Sequence, residues 1–121
     1  MFERVEDLAE QVWQLVTPLA DLSGSYALLD FPDYSNVGDS LIWLGELAFF
    51  ERAAARPPAY VSTIHGFDVD ALVRAVPDGP IFLSGGGNFG DLWPRFQRFR
   101  LKLLAALPGR PIIQLPQTLH F

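Results

Sequence analysis

The spacing of apolar residues changes along the chain, and the changes divide it into elements. Over residues 3–20, Val5, Leu8, Val12, Leu15, Val16 and Leu19 recur every three or four positions, which is the stripe of an amphipathic helix. Asp21-Leu22-Ser23-Gly24 then supplies a stop and turn. The segment 1–22 is expected to be an N-terminal helix covering a face or edge of the rest. Four short apolar blocks follow, at 26–31, 59–64, 81–84 and 112–115. They are nearly continuous rather than alternating, as strands buried on both faces should be.

Helical spacing fills the gaps between these blocks. A helix opening at Gly38-Asp39 and running to Arg52 has one stripe of Leu41, Leu44 and Ala48 and another of Trp43, Leu47 and Phe50. It is apolar nearly all round and is expected to be well buried. A shorter helix over 69–76 is capped by Asp68 or a neighbour, and a third over 93–107 repeats Phe96, Phe99, Leu103 and Leu107. Pro77-Asp78-Gly79-Pro80 and Pro108-Gly109-Arg110-Pro111 are turns by composition. Strands alternating with helices predict βαβ units. The fold class is therefore α/β, a Rossmann-like parallel sheet with flanking helices, in one domain over 1–121.

Right-handed crossovers bring every strand-to-helix turn to one sheet edge, where ligands of open α/β sheets bind. Two unusual turns fall there: Asn36-Val37-Gly38-Asp39 and Gly85-Gly86-Gly87-Asn88-Phe89-Gly90-Asp91. Without side chains at 85–87, the backbone can take positive φ and a ligand can approach its N–H groups. Such a nest or helix N-terminus suits phosphate, carboxylate or a sugar oxyanion; the competing reading is a tight turn that merely needs small residues. His65 and the terminal Gln117-Thr118-Leu119-His120 reach the same edge.

Asp39 and Asp91 each stand at an expected helix start. They can cap it, bind sugar hydroxyls or act as a general base. Asn36 and Asn88 suit left-handed turns or donation to a ligand. Trp93, beside the glycine segment, can stack on a sugar, whereas Trp43 reads as core. Gly85, Gly87 and Gly90 spell G-x-G-x-x-G, yet no Asp or Glu follows Asp91 to hold a dinucleotide ribose. No Gly-Lys-Ser/Thr follows either. Ser84 and Ser35 have no base nearby in sequence. With no cysteine and two unpaired histidines, neither a metal site nor a cofactor is expected.

Composition narrows the partners. Nine Lys+Arg against fourteen Asp+Glu give a net charge of −5, with no basic block to follow a nucleic-acid backbone. No apolar run approaches a membrane span, and the acidic start is no secretory signal. The expected location is cytoplasmic.

Three stretches together resemble the polysaccharide pyruvyl transferase family. They are Asp30-Phe31-Pro32-Asp33-Tyr34-Ser35-Asn36-Val37-Gly38-Asp39-Ser40-Leu41-Ile42, Leu83-Ser84-Gly85-Gly86-Gly87-Asn88-Phe89-Gly90-Asp91-Leu92-Trp93, and Ile112-Ile113-Gln114-Leu115-Pro116-Gln117-Thr118-Leu119-His120-Phe121. The resemblance implies transfer of a pyruvyl group from phosphoenolpyruvate to a sugar of an exopolysaccharide or cell-wall glycan, as a ketal. It implies a fold similar to one half of a GT-B-type glycosyltransferase, with the chain as a truncated N-terminal half, since the last strand exit has no helix after it. Asn36, Gly38, Asp39, Gly85, Gly86, Gly87, Asn88, Asp91, Trp93 and Gln117 would line the substrate cleft. Asp39 and Asp91 are the catalytic candidates, and the residues holding phosphoenolpyruvate would lie mainly in a second half. The alternatives are a non-catalytic module binding a nucleotide or sugar phosphate at its glycine-rich loop, and a homo-oligomer that covers an exposed sheet edge.

Overall fold

The computed structural model describes residues 5–32, 37–90 and 94–120, and the side chains of all of these except 5, 9, 87–90 and 117–120. The helices are α1 (Val5–Val16), α2 (Val37–Ala54), α3 (Val69–Ala75) and α4 (Pro94–Ala106). A 3-10 turn, Thr17–Leu19, extends α1. The strands are β1 (Ala27–Leu29), β2 (Tyr60–Ser62), β3 (Ile81–Leu83), β4 (Gly86–Gly90), β5 (Ile112–Gln114) and β6 (Gln117–His120).

Four strands make a parallel sheet in the order β2-β1-β3-β5. The α/β reading from the sequence is met. The two central strands are buried at every position, which is why both read as unbroken apolar runs. Leu28, Phe82 and Leu115 face Trp43 and Phe50 of α2, with Val16, Ala20 and Leu22 packed behind them. On the opposite face Leu29, Ile81 and Leu83 meet Leu72 of α3 and Phe99 and Leu103 of α4. The sheet is thus the middle of three layers.

Right-handed crossovers require this split. The chain moves from β1 outward to β2 through α2, then back past β1 to β3 through α3. The direction of winding reverses between β1 and β3. The carboxyl ends of those two strands are the topological switch point, where neighbouring helices leave on opposite faces and a crevice opens.

Two expectations change. The Leu41, Leu44 and Ala48 stripe of α2 is not buried: Leu41 is 61% and Leu44 58% exposed. The helix lies in an outer layer, so only the Trp43–Phe50 stripe meets the sheet. The glycine segment is not a loop leading into a helix. Gly86–Gly90 is a strand, paired in parallel with Gln117–His120 and irregular in register between Gly86 and Phe89. This second, two-stranded sheet continues from the carboxyl ends of β3 and β5. Its partner strand is distant in sequence, and no apolar alternation marks it.

Candidate functional site

The switch point is built around Ser84-Gly85-Gly86, where β3 runs out of the main sheet. Helix α2 approaches from one face. The Ser84 hydroxyl donates to Glu46 Oε1 at 2.7 Å, and the Gly85 N–H donates to Glu46 Oε2 at 2.7 Å. One carboxylate therefore fixes both a side chain and the backbone of the β3 exit. Gln114, at the end of β5, secures the carbonyl side. Its Nε2 donates to the Leu83, Ser84 and Leu115 carbonyls at 3.3, 3.0 and 3.1 Å. Its Oε1 accepts from Arg100 Nε at 2.9 Å.

Glycine is required here for contact reasons. A Cβ on Gly85 would run into the Pro116 carbonyl oxygen and lie 3.3 Å from Glu46 Oε2. Gly86 has φ +144°, a conformation L side chains rarely adopt. Its N–H donates to the Pro116 carbonyl at 3.2 Å, and a Cβ there would stand 3.4 Å from Asp39 Oδ1. Asp39 and Glu46 are seven positions apart, two turns of α2, so one face of the helix presents both carboxylates to the glycines.

Burial alters the charges of the site. Removal from water pushes the Glu46 carboxyl up; its bonds from Gly85 and Ser84 pull the other way without cancelling the shift. Burial likewise pulls Arg100 down, against the opposing charge of Asp30. Asp30 follows β1 directly, is buried, and has φ 71°. Aspartate is among the few non-glycine residues that tolerate this left-handed backbone. Asp30, Arg100 and Gln114 thus form a polar layer at the carboxyl edge of the sheet.

A cleft of about 490 Å³ opens beside Glu46 and Gly86, with Pro116, Ile42, Phe49 and Val12 among its walls. It brings backbone polar groups and a carboxylate to an otherwise apolar hollow between α1, α2 and the β5 exit. That combination is typical of a small-molecule site.

Comparison with known proteins bears on what such a site serves. The family described as polysaccharide pyruvyl transferase matches residues 36–121, most of the chain. The chain belongs to the polysaccharide pyruvyl transferase family. Among curated relatives, it is 40% identical over 93 residues to EpsO of Bacillus subtilis (strain 168), whose name assigns it as a pyruvyl transferase; the match covers 76% of this chain and 28% of that protein. It is 29% identical over 100 residues to Pyruvyl transferase 1 of Schizosaccharomyces pombe (strain 972 / ATCC 24843), covering 78% and 25%. It is also 29% identical over 102 residues to General stress protein 30 of Bacillus subtilis (strain 168), covering 78% and 28%. The chain spans about a quarter of the length of these relatives.

Within this pyruvyl transferase family chain, the structure joins part of the set expected from sequence. Gly38 and Asp39 lie in the first turn of α2, and Asp39 reaches the glycine strand. Because α2 already begins at Val37, Asp39 lies inside the helix and is not its cap. Gly85 and Gly86 form the β3–β4 junction. Gly87 and Asn88 lie within β4, and Gln117 pairs with Gly86 across the small sheet. Asn36, Asp91 and Trp93 lie outside the described residues. Trp43 is core, as expected, and Asp68 caps α3. His65 is exposed in the β2–α3 turn.

Sequence reasoning missed Glu46, Arg100 and Gln114. Glu46 had a signal: it is an acid among Trp43, Leu47, Phe49 and Phe50 in an otherwise apolar helix. It also gives Ser84 a carboxylate neighbour that sequence distance concealed, although Ser84 is buried and tied to it. No group of metal-binding side chains is present among the described residues. No described helix is long and apolar enough to cross a membrane.

Proposed function

We propose that this chain is the N-terminal portion of a polysaccharide pyruvyl transferase, acting in the cytoplasm, that moves a pyruvyl group from phosphoenolpyruvate to a sugar of an exopolysaccharide or cell-wall glycan. The observation that carries this reading is the family's match across a region whose glycines and acids converge at the switch point. In the reaction, the enol CH₂ takes a proton and becomes a methyl group. One sugar hydroxyl oxygen bonds to the adjacent carbon, and phosphate leaves with the electrons of its bond. A second hydroxyl closes the ketal. Of the two hydroxyl protons, one is balanced by the methyl group and one by hydrogen phosphate.

Asp39 is suited to orient or deprotonate a hydroxyl, and Asp91 is its alternative. The Gly85 and Gly86 N–H groups already donate to Glu46 and Pro116, so the Gly85–Asn88 backbone serves by letting the acceptor sugar approach closely; Gln117 works from the paired strand, and Asn36, Gly38 and Trp93 complete the wall. Glu46 holds this wall in place. A second half, as in GT-B-type folds, supplies the remaining groups.

Titration of the chain with phosphoenolpyruvate, followed by amide NMR, tests the reading. The expected response at the switch point covers 36–39, 85–93 and 117. A saccharide panel with ketal methyl detection should show little turnover by this portion alone. The second reading is a non-catalytic module for a nucleotide or sugar phosphate. Shifts at 85–90 with UDP-sugars and none with phosphoenolpyruvate would replace the first reading with the second.

A further inference from the structure

A second cleft, of about 270 Å³, lies on the other face of the sheet, between the β2–α3 turn and α4. Arg95, Arg98 and Lys102 line it together with His65, over Phe67 and Phe99. The three cations are spaced by three and four positions, so they share one face of α4. Four of the chain's nine Lys and Arg residues fall within α4, which contains no acid. The chain as a whole carries a charge of −5, so this concentration of positive charge opposes the general balance. No carboxylate lines the cleft among the described residues.

The walls are fixed before any ligand arrives. Phe67 meets Phe99 edge-on at 5.5 Å between ring centres. The Gly66 N–H donates to Thr63 Oγ1, and the Asp68 N–H donates to the Tyr60 hydroxyl, both at 2.9 Å. The nearby Asp68 carboxylate is itself occupied by the Asp70 and Ala71 N–H groups. The first turn of α4 also directs its N–H groups and positive helix end toward the carboxyl edge. An apolar floor beneath exposed cations reduces their screening by water and favours an oxyanion that accepts several charge-assisted bonds.

We propose that this cleft is an anion site that takes the phosphate group of a small phosphate ester. It is separate from the Glu46 cleft and does not depend on the pyruvyl-transfer reading. The phosphate has two chemical sources, an enol phosphate such as phosphoenolpyruvate or a phosphorylated sugar.

The test is amide and arginine Nε–H NMR on the whole chain, titrated with inorganic phosphate, phosphoenolpyruvate and glucose 1-phosphate, with chloride at matched ionic strength. Saturable shifts at 64–67 and 95–102 with phosphate, absent with chloride, are expected. The ester that binds more tightly identifies the source. Arg98→Glu with Lys102→Glu should weaken phosphate binding about tenfold or more, and the paired Gln variants should fall between. Both substituted side chains are exposed, so urea midpoints should change little. Equal shifts with chloride, or unchanged phosphate binding in the charge-reversed variant, would overturn the proposal.

Discussion

Replacing Glu46 separates its two roles, acceptor and buried charge. In Glu46→Ala, the Gly85 N–H and the Ser84 hydroxyl both lose their 2.7 Å partner. A hydrogen bond to a charged group contributes about 1.5–3 kcal/mol, and an orphaned buried donor costs about 1–3 kcal/mol. The cleft beside Glu46 admits water to the vacated space, and the desolvation that raises its pKa is relieved. The net loss is then about 1–3 kcal/mol rather than the sum of two bonds. Glu46→Gln keeps an oxygen for Gly85 and turns a donor toward Ser84, whose hydroxyl can accept. Its cost near neutral pH should be below about 1 kcal/mol.

The pH dependence gives the sharper result. Burial raises the folded pKa of Glu46 above its ordinary 4.5, so between those values the folded chain holds more protons than the unfolded one. Stability from this group is full below the ordinary value and is lost as pH rises through the folded one. Glutamine has no such titration. The stability gap between the natural chain and Glu46→Gln should therefore shrink from pH 4 to pH 8. Urea unfolding across that range measures it, with equal m values required for the comparison. A gap that stays constant or widens with pH, or Glu46→Ala unfolding at the natural midpoint, would refute the reasoning.

Two further substitutions test the frame around the site. Gly85→Ala forces a Cβ against the Pro116 backbone, which also accepts the Gly86 N–H; about 1–3 kcal/mol should be lost by urea unfolding, whereas Gly24→Ala, with open space around it, should stay within about 0.5 kcal/mol. Asp68→Ala removes the acceptor for Asp70 and Ala71 and should cost about 1 kcal/mol, seen as faster hydrogen exchange in the first turn of α3.

The parallel sheet was legible because its strands are short apolar runs between helical repeats, and because handedness leaves few ways to connect them. The same logic put Gly38, Asp39 and the glycines at one edge. It failed where one pattern has two structural causes. The double apolar stripe of α2 reads as full burial, yet Leu41 and Leu44 face outward. Gly86–Gly90 reads as a turn because glycine has low strand propensity, but backbone pairing with Gln117–His120 makes it a strand. That pairing is set by where β3 and β5 end side by side, a tertiary fact with no local signature.

The absent pattern and the missed residues have one physical origin. Gly85 and Gly86 contribute no side-chain packing, so the position of the β3 exit must be imposed by its surroundings. Glu46 holds the N–H side of the β3 exit and Gln114 the carbonyl side. Arg100 fixes Gln114 in turn. These anchors come from α2, β5 and α4, on both faces of the sheet, and act just before β4 begins. The backbone beyond them keeps close approach available, which side chains at 85 and 86 would close. The polar residues hidden in apolar helices and strands therefore position the site, while the glycines themselves leave room for what binds there.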